Sequence, residues 1–202
     1  MSPNAVPDFD APSTKVLRPA TLAHVVLRTA NLKRMTEFYV DFLGGSVTHS
    51  NDVLSFITFD EEHHRIALIE VPGTAPKSQQ SCGLEHIAFA FSSLADLLLA
   101  YRHRKMLPTR AILPVWCVNH GPTTSIYYKD PDGNMLETQV DNFDTVEEAT
   151  AFMKTSYFAE NPIGTDFDAE ELVAALKRGE DERLLKKRRE IGPRDMPDLA
   201  SM

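Results

Sequence analysis

Two histidines at matching positions of an internal repeat are the residues of this sequence with the clearest chemical potential. His24 and His86 each lie in a short alternating apolar run, residues 22–27 and 84–89, which predicts a β-strand with the imidazole on one face. Positions after each histidine keep the same spacing of 62 residues (86 − 24): Leu32 with Leu94, Met35 with Leu97 and Tyr39 with Tyr101. We therefore expect two copies of one unit, each with a histidine on its first strand.

A carboxylate in the second unit completes a possible metal-binding set. When the last strands, 66–71 and 135–140, are aligned with a spacing of 69 residues (137 − 68), Glu137 takes the position that Leu68 has in the first unit. A lone strand histidine is more often structural, but two in a repeat with a matching carboxylate favour metal binding. Two imidazoles and one carboxylate suit non-haem Fe(II), although this ligand set does not exclude manganese or zinc. We predict a metal site made by His24, His86 and Glu137.

The elements that must position these residues form two β-α-β-β-β units. The first unit is predicted to have strands at 21–28, 46–49, 53–59 and 65–71, and a helix at 32–43 that Asn31 caps and Gly44 ends. The second has strands at 84–91, 110–119, 125–129 and 135–140, and a helix that runs from Ser92 or Ser93 to about Arg104. The fold class is therefore α+β.

The regions outside the two units have different compositions. Residues 1–19 contain four prolines and few apolar residues, which predicts a flexible N-terminal arm. The paired units occupy 20–143, with modules at about 20–72 and 82–143. Residues 144–202 are predicted to form a helical C-terminal extension, with amphipathic helices at 145–153, 169–177 and 180–189. This extension would pack on the domain or on a second subunit, and a homodimer is the expected assembly.

Composition excludes several classes of partner. The chain has 202 residues and a net charge of −8, and its basic cluster at 186–189 is surrounded by acidic residues, so we expect no nucleic-acid binding. No apolar run approaches the roughly 18 residues that a membrane span needs. The N-terminus has no apolar signal region and the two cysteines, Cys82 and Cys117, suggest no disulfide framework, so a cytoplasmic location is expected.

The segment that ends at Glu137 carries a family resemblance. Residues 127–137 read Tyr-Tyr-Lys-Asp-Pro-Asp-Gly-Asn-Met-Leu-Glu. With the paired units, this segment resembles the vicinal oxygen chelate superfamily, which includes glyoxalases, bleomycin resistance proteins and extradiol dioxygenases. The resemblance covers about 20–143 and implies that the modules form a curved, open, barrel-like mixed sheet. It indicates the fold better than the reaction.

Three further residues are similar to those of one-domain type I extradiol ring-cleavage dioxygenases. Tyr127 lies ten residues before Glu137, where those enzymes have a tyrosine that hydrogen-bonds the catecholate. His120, in a His-Gly-Pro-Thr segment, resembles their substrate-contacting histidine. His64, in His-His-Arg-Ile-Ala-Leu, resembles their acid–base histidine. Without this resemblance, Tyr127 would be interpreted as a core tyrosine and His120 as a loop histidine.

The resemblance implies Fe(II) as the cofactor, with Mn(II) as the alternative, and a small aromatic diol and O2 as substrates. Metal binding lowers the pKa of a phenol, and a neutral histidine or tyrosine nearby can take or orient its proton. The expected product is a ring-opened acid cleaved beside the diol.

Two other functions remain open from the sequence. A glyoxalase-like isomerase or epimerase normally uses a four-ligand site, and Leu68 at the fourth place argues against it. A metal-free binding protein of the same fold would lack the His24, His86 and Glu137 set, which this sequence keeps.

Overall fold

A computed structural model of the chain describes residues 6, 8–78, 81–108 and 110–197. Most of the predicted N-terminal arm lies within it and forms no helix or strand up to residue 24, while residues 1–5 and 7 of that arm lie outside the described residues. The elements in chain order are β1 Val25–Thr29, α1 Leu32–Leu43, β2 Ser46–Ser50, β3 Leu54–Thr58, β4 Ile66–Glu70, β5 His86–Ala90, α2 Leu94–Lys105, β6 Trp116–Asn119, β7 Thr123–Lys129, β8 Met135–Asp141, α3 Val146–Met153, α4 Ser156–Glu160, β9 Thr165–Asp166, α5 Ala169–Lys177 and α6 Glu182–Leu185.

The first module is a four-stranded sheet covered on one face by α1. Its strand order is β1-β4-β3-β2, with β1 parallel to β4 and the other pairs antiparallel. The predicted bounds and N-cap of α1 are confirmed, since the Asn31 side chain accepts a hydrogen bond from the amide of Arg34. Gly44 ends the helix in the left-handed conformation, which glycine adopts without a side-chain clash. Glu70 also accepts a hydrogen bond from the amide of Leu32, so β4 fixes the start of the helix.

The second module repeats this arrangement. Its sheet has the order β5-β8-β7-β6-β9, and β5 is parallel to β8 as β1 is to β4. Ser93 caps α2 by accepting a hydrogen bond from the amide of Asp96. The strand predicted at 110–119 is shorter than expected, because only Trp116–Asn119 pairs with β7. The repeat deduced from the histidine spacing is therefore present in the fold.

The two modules pack through their helix-covered faces. A single core contains apolar residues from α1, α2 and the covered faces of both sheets. Across it, the Phe42 ring of α1 lies 5.2 Å from the Tyr128 ring of β7, and the Tyr39 hydroxyl donates a hydrogen bond of 3.0 Å to Asp130. The α+β class and the paired modules are confirmed. The strands form two curved sheets within the chain, because the side chains of α1 and α2 occupy the space between the modules.

The segment after β8 is attached to the second module. Strand β9 adds to the edge of β6, and Glu170 of α5 accepts hydrogen bonds from three residues of α2. The helices predicted at 145–153 and 169–177 are present, whereas the one predicted at 180–189 is limited to α6. Helix α4 and strand β9 were not predicted. No helix in the described part of the chain is long and apolar enough to cross a membrane.

Candidate active site

His86 and Glu137 come together on the open face of the second sheet, the face opposite α2. In the parallel pairing of β5 with β8, Ala88 lies opposite Glu137, so His86, two residues before Ala88, shares its face. His86 Nε2 lies 3.0 Å from Glu137 Oε2, and Glu137 is only 4% exposed. The hydrogen bond to Glu137 raises the pKa of His86. Burial opposes ionisation of Glu137, but hydrogen bonds from His86 and Ser125 lower the pKa of its carboxyl overall.

Tyr127 and His120 form a second polar pair on the same face. Tyr127 lies opposite Glu137 in the antiparallel pairing of β7 with β8, and its hydroxyl lies 3.0 Å from His120 Nε2. His120 Nδ1 lies 2.5 Å from the carbonyl oxygen of Ile163. A carbonyl can only accept, so Nδ1 carries the proton and Nε2 accepts from Tyr127. Burial lowers the pKa of His120 and raises that of Tyr127, which keeps both side chains neutral near neutral pH.

The wall of this group contains residues that the sequence did not identify as functional. Trp116 stacks on Tyr127 with ring centroids 5.0 Å apart, and its indole donates a hydrogen bond of 2.7 Å to Asp166. Ser125 lies two residues before Tyr127 on β7 and hydrogen-bonds Glu137. The alternation of β7 could have revealed Ser125, because residues two apart share a face. Asp166 could not have been found, because β9 was not predicted.

The C-terminal segment holds the loop that carries His120. The guanidinium of Arg188 donates hydrogen bonds to the carbonyls of His120, at 3.2 Å, and Asn161, at 2.7 Å. Gly121 adopts a positive φ of 101°, and a side chain there would collide with the ring of Phe152. The backbone and the imidazole of His120 are thus both held by residues that follow β8.

His24 and His64 form a separate group on the open face of the first sheet. The exposed His24 ring lies 4.5 Å from that of His64, which in turn stacks on Phe56 at 4.4 Å. Nδ1 of His63 and Nδ1 of His64 lie 2.5 Å apart, so one of them carries the proton that the other accepts. Burial, followed by the neighbouring histidines, lowers the pKa of His64.

The position of His24 is fixed just before the first strand. Strand β1 begins at Val25, one residue later, rather than at Thr21 as predicted. The guanidinium of Arg65 donates hydrogen bonds of 2.9 Å to the carbonyls of Leu22 and Ala23. The segment that contains His24 is therefore tied to the start of β4. Together with Phe56 and His64, His24 lines a cavity of about 310 Å³ on the open face.

The structure thus divides the predicted site residues between the two sheets. His86, Glu137, Tyr127 and His120 lie together on the second sheet, while His24 and His64 lie on the first. The open face of each sheet is turned away from the shared core, so the two groups lie on opposite sides of that core. Among the described residues, no three His, Cys, Asp or Glu side chains converge as a metal site. One chain therefore assembles two of the three predicted ligands.

The sequence alignment of the last strands was wrong by one residue. Val26, two residues after His24, pairs with Ala67, just as Ala88 pairs with Glu137. Ala67 is thus the counterpart of Glu137, with a spacing of 70 residues (137 − 67). Leu68 faces the other way and is fully buried in the shared core. The first module still offers no fourth ligand at this position, because the side chain of alanine has no donor atom.

Comparisons with known proteins agree with this architecture. Residues 21–138 match the family model described as the glyoxalase/bleomycin resistance protein/dioxygenase superfamily. The chain is 43% identical over 158 residues to biphenyl-2,3-diol 1,2-dioxygenase 2 of Rhodococcus globerulus. This match covers 78% of this chain and 82% of that protein. It is 44% identical over 160 residues to biphenyl-2,3-diol 1,2-dioxygenase 3 of the same organism, and this match covers 78% of this chain and 83% of that protein.

A similar solved structure extends the comparison to the fold. It is a glyoxylase/bleomycin resistance protein/dioxygenase domain from Frankia sp. EAN1pec, with a TM-score of 0.50 and 19% identity. The match covers 61% of this chain and 99% of that chain.

Proposed function

The chain belongs to the glyoxalase/bleomycin resistance protein/dioxygenase superfamily, and within it we propose that the protein is an extradiol ring-cleaving dioxygenase acting on a catechol-type diol. Relatives named biphenyl-2,3-diol 1,2-dioxygenases support this reaction, and 2,3-dihydroxybiphenyl is the first substrate to test. The structural observation that carries the proposal is the His86–Glu137 pair beside the Tyr127–His120 pair on one open sheet face.

The proposed cofactor is Fe(II), with Mn(II) as the alternative, and its ligands are His24, His86 and Glu137. Two neutral imidazoles and one carboxylate form the set that non-haem iron enzymes use while leaving positions open. His86 and Glu137 fit this role, with donor atoms 3.0 Å apart, but His24 of the same chain lies on the other sheet. When bound, such an ion would supply Lewis acidity.

Tyr127 and His120 are proposed to bind the diol and manage its proton. The Tyr127 hydroxyl is kept protonated by burial and by the nearby carboxylate of Glu137. Because its proton is donated to His120, its oxygen can accept a hydrogen bond from a substrate hydroxyl. The neutral Nε2 of His120 is an acceptor beside it. Because Ile163 fixes the protonated Nδ1, the accepting nitrogen stays directed at Tyr127 and is available to take up a proton.

His64 is proposed as the acid–base residue on the oxygen side of the reaction. Its ring is held between Phe56 and His24, and the residue is only 8% exposed. An imidazole in this setting can donate or accept a proton near neutral pH. His63, which contacts the His64 ring nitrogen, keeps its orientation fixed.

One observation bears on the alternative of a glyoxalase-like isomerase or epimerase. The counterpart of Glu137 in the first module is Ala67, so the fold offers no fourth ligand at that place. A site with three protein ligands leaves room for a bidentate diol and dioxygen. A metal-free binding protein of the same fold is disfavoured by the paired His86 and Glu137.

The experiment is turnover with a panel of catechols that includes 2,3-dihydroxybiphenyl. The protein would be loaded with Fe(II) under anaerobic conditions and exposed to air while absorbance and oxygen uptake are followed. A yellow product with stoichiometric oxygen consumption is expected. Bound iron without colour or uptake would overturn the dioxygenase in favour of a non-oxidative metalloenzyme. A protein that binds no iron would instead favour the binding-protein function.

A further inference from the structure

We propose that the chain after α6 positions the two residues proposed to bind the diol, with Arg188 holding His120 and Arg194 holding Tyr127. The inference rests on the proposed function, since these two residues are its substrate-binding pair. The Arg188 side chain is only 2% exposed and that of Arg194 is 18% exposed, although both carry a charge. Their guanidinium groups donate hydrogen bonds to the backbone carbonyls of His120 and Gly164. A buried charge is costly unless it is paired and hydrogen-bonded, so these contacts hold both arginines in place.

The guanidinium of Arg188 uses each of its five N–H donors. Two of them bond the carboxylate of Glu190, at 3.1 and 2.7 Å, which neutralises the charge. The other three bond the carbonyl oxygens of Tyr157, Asn161 and His120, at 3.1, 2.7 and 3.2 Å. A guanidinium presents five donors in a fixed plane, whereas a lysine ammonium has three donors and no such plane. Arg188 therefore ties three separate points of the backbone to one rigid group.

The same guanidinium holds both the backbone and the ring of His120. The side chain of Asn161, whose carbonyl Arg188 bonds, makes hydrogen bonds to the amide and the carbonyl of Gly164, at 2.8 and 3.1 Å. This turn carries Ile163, whose carbonyl accepts from Nδ1 of His120. Gly164 packs so closely that an added Cβ would lie 2.8 Å from the Cα of His120. Loss of Arg188 would therefore displace the backbone of His120 and the anchor of its ring together, and Nε2 would turn away from its partner.

Arg194 holds Tyr127 through a chain of contacts. Its guanidinium donates a hydrogen bond of 2.8 Å to one carboxylate oxygen of Asp166, and the other oxygen accepts from the indole of Trp116 at 2.7 Å. The Trp116 ring stacks on the Tyr127 ring, with 26° between their planes. Asp166 is exposed, and two residues lie between Arg194 and Tyr127, so we expect a weaker effect from Arg194 than from Arg188.

Kinetics of paired variants separate an effect through His120 from a general loss of stability. Arg188→Met should lower kcat/KM about ten- to a hundredfold, because small displacements of a positioned group have effects of this size. The same substitution in a His120→Ala background should have little further effect. Equal losses in both backgrounds would overturn the inference. Arg178→Met is the matched control and should leave kcat/KM unchanged, since Arg178 is exposed and pairs with Glu180.

Two further substitutions separate the geometry of the arginines from their charge. Arg188→Lys should lose nearly as much activity as Arg188→Met, because the ammonium keeps the charge but cannot reach all the acceptors. Full activity of Arg188→Lys would overturn positioning by the guanidinium. Arg194→Met should lower kcat/KM about two- to fivefold, the range that a partly exposed ion pair supports. An unchanged kcat/KM in Arg194→Met would overturn its role.

The ring of His120 reports the same geometry without any measurement of turnover. In the full chain, purified without added metal and isotopically labelled at its histidine ring nitrogens, NMR should show this ring neutral and protonated at Nδ1. Its signals are those that disappear in His120→Ala. In Arg188→Met we expect a mixture of tautomers, because the carbonyl of Ile163 no longer fixes the proton. An unchanged signal would overturn the inference. A change of tautomer in a protein that cleaves no catechol would overturn the proposed function and leave the positioning role intact.

Chemical rescue provides a further measurement if Arg188→Met folds poorly. Arg188 lines a cleft of about 570 Å³ together with Phe152 and Glu190, so Arg188→Ala leaves a space that free guanidinium can enter. Millimolar guanidinium should restore both activity and the Nδ1 tautomer of His120, where the same concentration of sodium chloride restores neither. Iron content should equal that of the wild type, because Arg188 bonds Glu190 and backbone carbonyls rather than a proposed ligand. Loss of iron from a folded Arg188→Ala protein, or no response to guanidinium, would overturn the positioning role.

Discussion

The two modules share one framework and differ in what their open faces carry. Both pair their first and last strands in parallel, and a histidine lies just before β1 in the first module and at the start of β5 in the second. The first module has Ala67 where the second has Glu137, and its open face carries His64 among apolar residues such as Phe56. The second module adds Tyr127 and His120. The comparison teaches that a duplicated unit can keep a histidine in each copy while the carboxylate and the proposed substrate-binding groups are confined to one.

The C-terminal segment increases this difference. It contacts the second module through β9, α5 and Arg188, and it fixes the loop that carries His120. In the described residues, the open face of the first module has no comparable cover, and Val26 and Ile69 remain exposed. One half of the proposed site is thus rigidly supported by its own chain.

Removal of a proposed ligand should have the largest effect. Glu137→Ala and His24→Ala should each abolish iron retention and activity, because a three-ligand site loses a third of its donors. Iron content after desalting and oxygen uptake are the measurements. Glu85→Ala, which removes an exposed carboxylate next to His86, should leave both unchanged. Iron retention by His24→Ala equal to that of the wild type would mean that the histidine of the first module is not a ligand.

The equivalence of Ala67 and Glu137 can be tested by introducing a carboxylate into the first module. Leu68→Glu should lower the free energy of unfolding by about 3 kcal/mol or more, since it buries an unpaired charge in the core. Ala67→Glu should be less destabilising, because Ala67, although only 4% exposed, lies on the open face beside the exposed Val26, where a longer side chain can reach solvent. Urea unfolding of the two variants gives the comparison. Similar losses for both would contradict the assigned faces.

Substitution of the non-ligand residues should slow turnover without releasing the metal. His64→Ala should reduce kcat about a hundredfold, in the range of general acid–base catalysis. Tyr127→Phe should reduce it about tenfold, since it removes one hydrogen bond. Metal content should stay at the wild-type level in both. Full activity of His64→Ala at every pH would show that the first module supplies only a ligand.

Weakening the attachment of the C-terminal extension to the second module should have the smallest effect, a small change in Tm. Hydrogen bonds from Lys105 and Tyr101 lower the pKa of Glu170 from 4.5 to about 2. A carboxyl with a depressed folded-state pKa stabilises the fold above its unfolded pKa and loses this contribution as the pH falls towards the folded value. Glu170→Gln should therefore lower the Tm at pH 7 slightly and flatten the fall in Tm between pH 4.5 and 2.

The exposed Glu171→Gln is the matched control for that measurement. Glu171→Gln should have the same Tm at pH 7 as the wild type, and its Tm should fall by the same amount at low pH. A Glu170→Gln curve parallel to that of the wild type through the acid range would show that the carboxylate is not held by α2.

Much of the fold could be predicted because local signals agreed with it. Asn31 and Gly44 fixed the ends of α1, and the histidine repeat revealed the two modules. Shortening of the strand expected at 110–119 could not be foreseen, because its bounds depend on which residues pair with β7. The register of β4 was ambiguous for a related reason. Residues 66–69 are all apolar, so no alternation distinguishes the open face from the core.

The site could be predicted in its residue types but not in its arrangement. His86, Glu137, Tyr127 and His120 were expected to meet, and they lie together. His24 was expected beside them and does not lie there within the chain. The spacing of residues along a sequence indicates equivalent positions in two modules. It carries no information on whether the modules approach each other by their helix faces or by their strand edges.

The turn after β7 has a structural role, so the family resemblance that it carries indicates the fold rather than the reaction. Asp130 accepts hydrogen bonds from the amides of Asp132 and Asn134, and from the hydroxyl of Tyr39 in the other module. The Asp-Pro-Asp-Gly-Asn signature thus acts as a joint between modules and contains no proposed substrate-binding or metal-binding residue. Natural selection can preserve such a joint while the open faces diverge. Genome surveys that rely on this turn will recover proteins of the same architecture, whatever reactions their lineages have come to catalyse.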